Sequence, residues 1–156
     1  MTDKKNFYRV LNEDLKALIE DETDWVANCA NCSALLFNRM TDINWAGFYI
    51  LKEGVLVLGP FQGKPACVRI PMGKGVCGTA ALKRETQVVE DVHRFEGHIA
   101  CDEASRSEIV VPIIRNNRVI GVLDIDSPVL KRFDQADAEG LSDTVALLNR
   151  YNRWSD

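Results

Sequence analysis

The stretch that most restricts the fold runs from residue 107 to residue 126 and reads SEIVVPIIRNNRVIGVLDID. Two runs rich in β-branched residues flank Asn116 and Asn117, and asparagine tolerates the left-handed backbone of a tight hairpin turn. The pattern therefore predicts an antiparallel β-hairpin. Its second strand ends in two aspartates one residue apart, Asp124 and Asp126.

Periodic apolar residues predict two helices at the start of the chain, over residues 6–20 and 24–40. Thr23 or Asp24 is suited to cap the second helix, because short polar side chains accept hydrogen bonds from the free N–H groups there. The later patterns predict strands over 43–51, 55–61 and 66–70, a glycine turn entering a short helix over 71–85, a strand over 87–90, the hairpin strands, and a helix from Asp134 to about Arg153.

This order of elements favours an α+β fold, in which a central antiparallel sheet carries the N- and C-terminal helices on one face. At 156 residues the chain is expected to form one domain over residues 1–156. The two terminal helices could also pair with a partner subunit, which would make a homodimer.

Composition excludes some classes of function. The net charge of −4 argues against a nucleic-acid partner. No apolar run has the length of a membrane span, and the N-terminus lacks a signal-peptide core, so we expect a cytoplasmic protein. The five cysteines are odd in number, and a static disulfide framework is not expected in a reducing compartment. Any disulfide is then transient and catalytic.

Four segments together resemble the free methionine-(R)-sulfoxide reductase family, whose members are GAF domains. These segments are DINWAGFYIL, GPFQGKPACVRIP, HIACDEASRSEIVVP and GVLDIDS. The likeness covers roughly residues 7 to 150. It implies a ligand pocket under loops on the sheet face opposite the terminal helices. It also implies reduction of the R-sulfoxide of free methionine by cysteine thiols that thioredoxin later re-reduces, without an organic cofactor or a metal.

Cys101 is the candidate nucleophile. It lies in a long polar loop, where a thiol is accessible, and sulfoxide reduction needs a thiolate that attacks sulfur. The family's catalytic cysteine matches Cys101; on residues alone, an incidental exposed cysteine is the alternative. Asp102 and Glu103 disfavour the thiolate, whereas nearby histidines and arginines favour it. These opposing charges leave the ionisation of the thiol open.

Cys67 matches the family's resolving cysteine, which traps the sulfenic acid as a disulfide. It begins the strand predicted over 66–70, and a small buried hydrophobe is the alternative reading. Cys77 lies near a predicted helix N-terminus, which lowers thiol pKa values and would suit a redox role, with a packed cysteine in a tight turn as the alternative. The family often has a cysteine at this position, and the resemblance implies only an accessory role beside the substrate. Cys29 and Cys32 form a CxxC motif, but both fall on an apolar helix stripe and are expected to be structural.

Asp124 and Asp126 share one face of their strand, with Ile120 and Val122 beneath them. Two acids on a half-buried face need a cation, such as an ammonium group, or else lie solvated at the sheet end. The resemblance implies that the acids matching Glu108, Asp124 and Asp126 bind the amino group or polarise the sulfoxide. We assign Asp126 and Glu108 to the sulfoxide oxygen and Asp124 to the ammonium group.

The hairpin geometry sets a condition on this acidic trio. An even loop around the two asparagines pairs residue 108 with residue 125, and paired residues share a face of the sheet. Glu108 would then face away from Asp124 and Asp126. We therefore predict an odd-length loop, a β-bulge, or a Glu108 that lies outside the regular ladder.

Trp45 and Tyr49 lie four residues apart on a strand and so share a face. The family's pocket for the methyl group on sulfur matches both, and ordinary sheet-core aromatics are the alternative. His93 and His98 are interpreted as ordinary loop histidines; the alternative is that they steer or protonate the substrate.

Two other functions remain open on the sequence. A GAF sensory module that binds a small ligand such as a cyclic nucleotide would normally adjoin an output domain and has no use for paired reactive thiols. A redox-regulated dimeric interaction protein would form a disulfide without turning over a sulfoxide.

Overall fold

The computed structural model describes residues 3–98 and 103–154. Within those ranges the chain forms four α-helices and six β-strands, which confirms the predicted α+β class. The helices are α1 (Lys4–Ile19), α2 (Trp25–Arg39), α3 (Gly75–Lys83) and α4 (Gln135–Tyr151), and a short 3-10 helix spans Val92–Arg94. The strands are β1 (Trp45–Lys52), β2 (Val55–Gly63), β3 (Arg69–Pro71), β4 (Gln87–Val89), β5 (Ser107–Arg115) and β6 (Arg118–Ser127).

The strands form one antiparallel sheet in the order β3-β2-β1-β6-β5-β4. One face packs against α1, α2 and α4 through a core of alternating strand residues, among them Phe48, Ile109 and Leu123. The other face packs against α3 and carries a second, smaller apolar cluster. The expected arrangement, with terminal helices on one face, is confirmed.

Aspartates fix where two of the helices begin. Asp24 caps α2 by accepting a hydrogen bond from the N–H of Ala27 at 3.0 Å, as one of the two predicted caps. Asp134 caps α4 and forms a capping box with Asp137. Asp137 also accepts a 2.7 Å hydrogen bond from the hydroxyl of Tyr8 on α1. This bond connects the first turn of α4 to α1.

The strand predicted over 66–70 is wrong in position, because regular pairing starts only at Arg69. The residues before it are held by other contacts. The C=O of Cys67 accepts from the Tyr49 hydroxyl, and the C=O of Val68 accepts from the N–H of Leu58. Cys67 therefore lies in the segment that leads into β3 and does not begin the strand.

A β-bulge near the hairpin tip confirms the condition set by the acidic trio. Asn116 and Asn117 have φ values of 52° and 62°, as a two-residue hairpin turn requires. The register then shifts between Ile113 and Ile114, which leaves Ile120 as the extra residue. Glu108 consequently pairs with Asp126 and shares a face with it.

The bulge also corrects one expectation. Ile120 was expected beneath the two aspartates, but it packs with the helix-side core, whereas Val122 remains in the cluster beside them. The extra residue moves Ile120 to the other face, because side chains alternate with a period of two. Among the residues that the structure describes, no helix is long and apolar enough to cross a membrane.

Gly140 tests the contact between the terminal helices. A Cβ added there would lie 2.1 Å from Cγ of Tyr8, so Gly140→Ala forces the ring or the helix to move. We expect the free energy of unfolding to fall by about 1–3 kcal/mol, as for other overpacked cores. Urea denaturation measures it. Ser142→Ala, at an exposed position of the same helix, is the control and should change the free energy little. Equal stability of Gly140→Ala and the parent would contradict this packing.

Candidate active site

A cleft lies on the sheet face opposite the terminal helices, with about 560 Å³ of empty space including its mouth. Strands β1, β5 and β6 form its floor, and the start of α3 and the segment before β3 form its sides. The lining includes the predicted site residues Trp45, Tyr49, Cys77, Glu108, Asp124 and Asp126. The structure therefore brings together six of the eight residues singled out from the sequence.

Burial and the repulsion between neighbouring carboxylates determine how the acidic trio holds its protons. Glu108 and Asp124 are buried, and Asp126 is half-buried. Burial raises the pKa of Glu108 well above its usual range, and the charges of Asp124 and Asp126 add to the effect. Burial also raises the pKa of Asp124, although hydrogen bonds from Glu108, Cys77 and Asp126 oppose the rise. The cluster thus holds protons that isolated carboxyl groups lose.

One carboxylate oxygen of Asp124 can accept a hydrogen bond from a ligand. Its Oδ1 is buried and has no hydrogen-bond partner among the residues that the structure describes. Such an atom costs free energy unless a donor reaches it. Cys77, Glu108 and Asp124 offer ligand atoms within 4.8 Å of one another, so the cluster could hold a metal ion. An ammonium group would meet the same need.

Cys77 corrects the expectation of a lowered pKa. Its thiol is free and almost fully buried, and burial raises its pKa well above the usual value. The neighbouring acids add to the rise, because the S–H group donates to the Asp124 carboxylate. Desolvation and nearby anions outweigh the field of the helix N-terminus. Cys77 is a neutral lining group of the cleft.

An aromatic wall faces the acids. Trp45 stacks on Tyr49, with ring centroids 5.9 Å apart, and on Phe61 at 5.2 Å. Phe61 was not singled out from the sequence, since its role depends on the pairing of β1 with β2. Burial and the acidic trio raise the pKa of Tyr49, so its hydroxyl stays protonated and can donate. The predicted clustering of Trp45 and Tyr49 on one face is confirmed.

The same wall holds the segment that carries Cys67. The Trp45 indole Nε1 donates to the C=O of Lys64 at 3.1 Å, and the Tyr49 hydroxyl donates to the C=O of Cys67 at 2.8 Å. Pro65 and Ala66, between these two carbonyls, line the cleft. The segment therefore runs along the cleft with two of its carbonyl groups turned inward.

The cysteines fall into distinct groups. Cys67 is in a disulfide, whereas Cys29 and Cys32 are free, buried thiols. Burial raises the pKa of Cys29 to about 12 and that of Cys32 well above its usual value. Their neutral, inaccessible thiols match the structural role expected of the CxxC motif. The predicted nucleophile, Cys101, lies outside the described residues, as does Asp102.

Two further residues line the cleft. His98 lies 6.3 Å from His93, measured between ring centroids, and burial together with His93 lowers its pKa. Ser105 is buried and accepts from the Asn44 side chain at 3.2 Å. Its place in a polar loop gave no signal in the sequence, because the loop's path over the sheet is set by tertiary contacts.

The raised pKa of Glu108 predicts a pH dependence of stability. The unfolded chain loses this proton near pH 4.3, whereas the native carboxyl group keeps it to higher pH. Rising pH therefore lowers the free energy of the unfolded state relative to the native state, and stability falls between the two pKa values. Denaturant midpoints from pH 4 to pH 8 should show that Glu108→Gln flattens this fall by up to about 1.4 kcal/mol per pH unit. The exposed substitution Glu139→Gln is the control. An unchanged slope in Glu108→Gln would refute the buried, protonated carboxyl group.

Known proteins share both the sequence and the geometry. The family model described as "GAF domain" matches residues 14–150. Free methionine-R-sulfoxide reductase of Escherichia coli is 59% identical over 153 residues, which cover 98% of this chain and 93% of the relative. The reduced form of Staphylococcus aureus fRMsr is 55% identical with a TM-score of 0.90, covering 92% of this chain and 94% of that one.

A structure of free methionine-R-sulfoxide reductase from Neisseria meningitidis in complex with its substrate is 46% identical, with a TM-score of 0.93. The match covers 97% of this chain and 91% of that chain. Identity of this level over nearly the whole length extends the resemblance from four motifs to the complete fold. The chain belongs to the GAF domain family and, within it, to the free methionine-R-sulfoxide reductases.

Proposed function

We propose that this protein reduces free methionine-(R)-sulfoxide to methionine with its own thiols. The observation that carries the proposal is the juxtaposition of three groups at one cleft. An acidic trio with two buried members faces an aromatic wall, and that wall is hydrogen-bonded to the segment of the disulfide-bonded Cys67. The names of the relatives agree with this chemistry.

The two sides of the cleft suit different parts of the substrate. Asp124 receives the ammonium group, because no donor among the described residues reaches its buried Oδ1. The rings of Trp45 and Tyr49 receive the methyl group on sulfur, whose partial positive charge suits aromatic faces. Cys77, at the start of α3, lines a side of the cleft as a neutral contact. A methionine sulfoxide inside a peptide has no free ammonium group, so the cleft selects the free amino acid.

The acidic trio also activates the sulfoxide. A protonated carboxyl group that donates to the sulfoxide oxygen makes this oxygen a better leaving group. Glu108 holds its proton through burial and repulsion, and it pairs with Asp126 on the same face. We assign the donation to Glu108, with Asp126 completing the hydrogen bonding around the oxygen.

Two thiols perform the redox step. The Cys101 thiolate attacks the sulfur of the protonated sulfoxide, so that an S–S bond forms while the S–O bond breaks and the oxygen leaves as water. A water molecule then attacks the Cys101 sulfur, the S–S bond breaks with its electron pair on methionine, which leaves, and Cys101 becomes a sulfenic acid as one proton is released. Cys67 then attacks that sulfenic acid, which releases water and forms a disulfide. The disulfide state of Cys67 supports its part in this step. Thioredoxin reduces the disulfide by exchange, and neither a metal nor an organic cofactor takes part in the proposed cycle.

Other attributes belong to the same proposal. Residues 1–156 form one domain, which the GAF match over 14–150 supports. The protein works in the cytoplasm, where thioredoxin keeps thiols reduced. A homodimer through the terminal helices is supported by the position of α1 and α4 side by side, with the exposed Leu18 on α1.

Turnover of three substrates tests the function. With thioredoxin, its reductase and NADPH, we expect oxidation of NADPH with free L-methionine-(R)-sulfoxide, and none with the S epimer or with a peptide sulfoxide. Cys101→Ser should abolish turnover, because a hydroxyl group cannot form the S–S bond. The buried Cys29→Ala is the matched control and should retain turnover. Activity that persists in Cys101→Ser would refute the nucleophile, and NADPH loss with all three sulfoxides would refute the specificity.

Kinetic constants separate the roles of the acids. Glu108→Gln should lower kcat by about a hundredfold or more, since removing a general acid costs roughly that factor. Asp124→Asn should act mainly on KM, raising it about tenfold, because it removes a charge that meets the ammonium group. Steady-state kinetics over a range of substrate concentrations measure both, with the exposed Asp143→Asn as control. The reverse pattern would exchange the two assignments.

A further inference from the structure

An exposed apolar side chain stands beside the disulfide. Val68 follows Cys67 directly and is 61% exposed, level with Leu82 as the most exposed large hydrophobic residue of the part of the chain that the structure describes. Scattered exposed valines are normal on proteins and mean little alone. This one adjoins the group that a reductant must reach.

The backbone beside Val68 pairs with β2 on one side, and the next residue directs its polar groups away from that strand. The N–H of Leu58 donates to the C=O of Val68 at 2.9 Å, and Leu56 pairs with Ile70. Because hydrogen-bonded and non-hydrogen-bonded pairs alternate in an antiparallel ladder, the N–H and C=O groups of Arg69 point away from β2. Strand β3 is the last strand on its side of the sheet, so this edge faces outward.

The inner side of the same segment is fixed. Trp45 and Tyr49 hold the carbonyls of Lys64 and Cys67 from within the cleft. Val68 and Arg69 are both exposed. We call residues 67–69 the Cys67 edge. It combines the disulfide-bonded, half-buried Cys67, the exposed side chain of Val68 and the backbone of Arg69, whose N–H and C=O groups point away from β2.

We propose that the Cys67 edge is the docking surface for a dithiol reductant of the thioredoxin class, and that this reductant attacks Cys67. This inference rests on the proposed function. A segment that leads into the edge strand β3, with an exposed valine and with the backbone groups of Arg69 directed away from β2, fits a partner that adds main-chain hydrogen bonds and covers one side chain. The thiolate of the partner must also reach the disulfide sulfur itself, so the partner has to lie against the segment that carries it.

Attack at Cys67 reduces the disulfide by two successive thiol–disulfide exchanges. The reductant's thiolate bonds to the Cys67 sulfur, the bond from Cys67 to Cys101 breaks, and Cys101 leaves as a thiolate. The second thiol of the reductant then attacks the mixed disulfide and releases Cys67 as a thiol. The reductant loses two electrons and the protein gains two. Cys101 returns directly in the form that attacks sulfoxide.

A charged substitution at the edge tests the docking surface. Val68→Glu should lower kcat/KM for bacterial thioredoxin about tenfold, because a carboxylate replaces the apolar contact. Turnover with dithiothreitol, which needs no docking surface, should stay within twofold of the parent. Val68→Ser separates the lost contact from the added charge and should show a smaller, few-fold decrease. Val26→Glu, at a 49% exposed valine on α2, is the matched control.

Trapping identifies the attacked sulfur. A thioredoxin whose second active-site cysteine is replaced by serine stops at the mixed disulfide, and peptide mass spectrometry locates it. A link to Cys67 supports the proposal, whereas a link to Cys101 overturns it. Equal slowing of thioredoxin and dithiothreitol by Val68→Glu, or no slowing of either, overturns it as well. A parent protein that forms no methionine even with dithiothreitol overturns the proposed function and this inference together.

Discussion

A single extra residue in strand β6 determines whether Glu108 lies on the same face of the sheet as Asp124 and Asp126. The hairpin turn at Asn116 and Asn117 would, with regular pairing, place Glu108 opposite Ile125. Ile125 is fully buried against the helices, so the carboxyl group would enter an apolar core. The bulge at Ile120 shifts the register and pairs Glu108 with Asp126 instead. Both the helix-side core and the acidic cleft depend on this shift.

The cleft keeps acids where water cannot stabilise their charges. Their repulsion and burial oppose folding at neutral pH, because the native carboxyl groups hold protons that the unfolded chain releases. The helix-side core compensates with apolar contacts of three helices and three of the strands. A protonated carboxyl group thus lies beside an acceptor oxygen that has no donor within residues 3–98 and 103–154, an arrangement that suits a substrate that supplies a cation and accepts a proton.

Much of this arrangement could be predicted from residue patterns, and the limits have physical causes. Apolar periodicity and capping residues were sufficient to predict the helices. Because side chains alternate between the two faces of a strand, Glu108 could share a face with Asp124 and Asp126 only if the regular pairing was interrupted, and the structure shows the bulge that does this. The position of the bulge could not be predicted, because the alternation of side chains requires one extra residue without saying which residue it is. Ile120 was therefore expected on the wrong face of the sheet. Cys77 was misjudged since the helix N-terminus is visible in the sequence, whereas the burial and the facing acids are tertiary. The site roles assigned to Cys101 and Cys67 stay predictions.

The aromatic wall connects the two halves of the proposed cycle. Trp45 and Tyr49 contact the substrate side with their rings, while their polar atoms fix the carbonyls of the segment that carries Cys67. The same backbone turns Val68 and Arg69 outward. One short segment therefore has an inner surface set by the substrate cleft and an outer surface open to a partner. Because the inner hydrogen bonds hold this segment in place, the outer surface is preorganised, which lowers the entropic cost of docking a reductant.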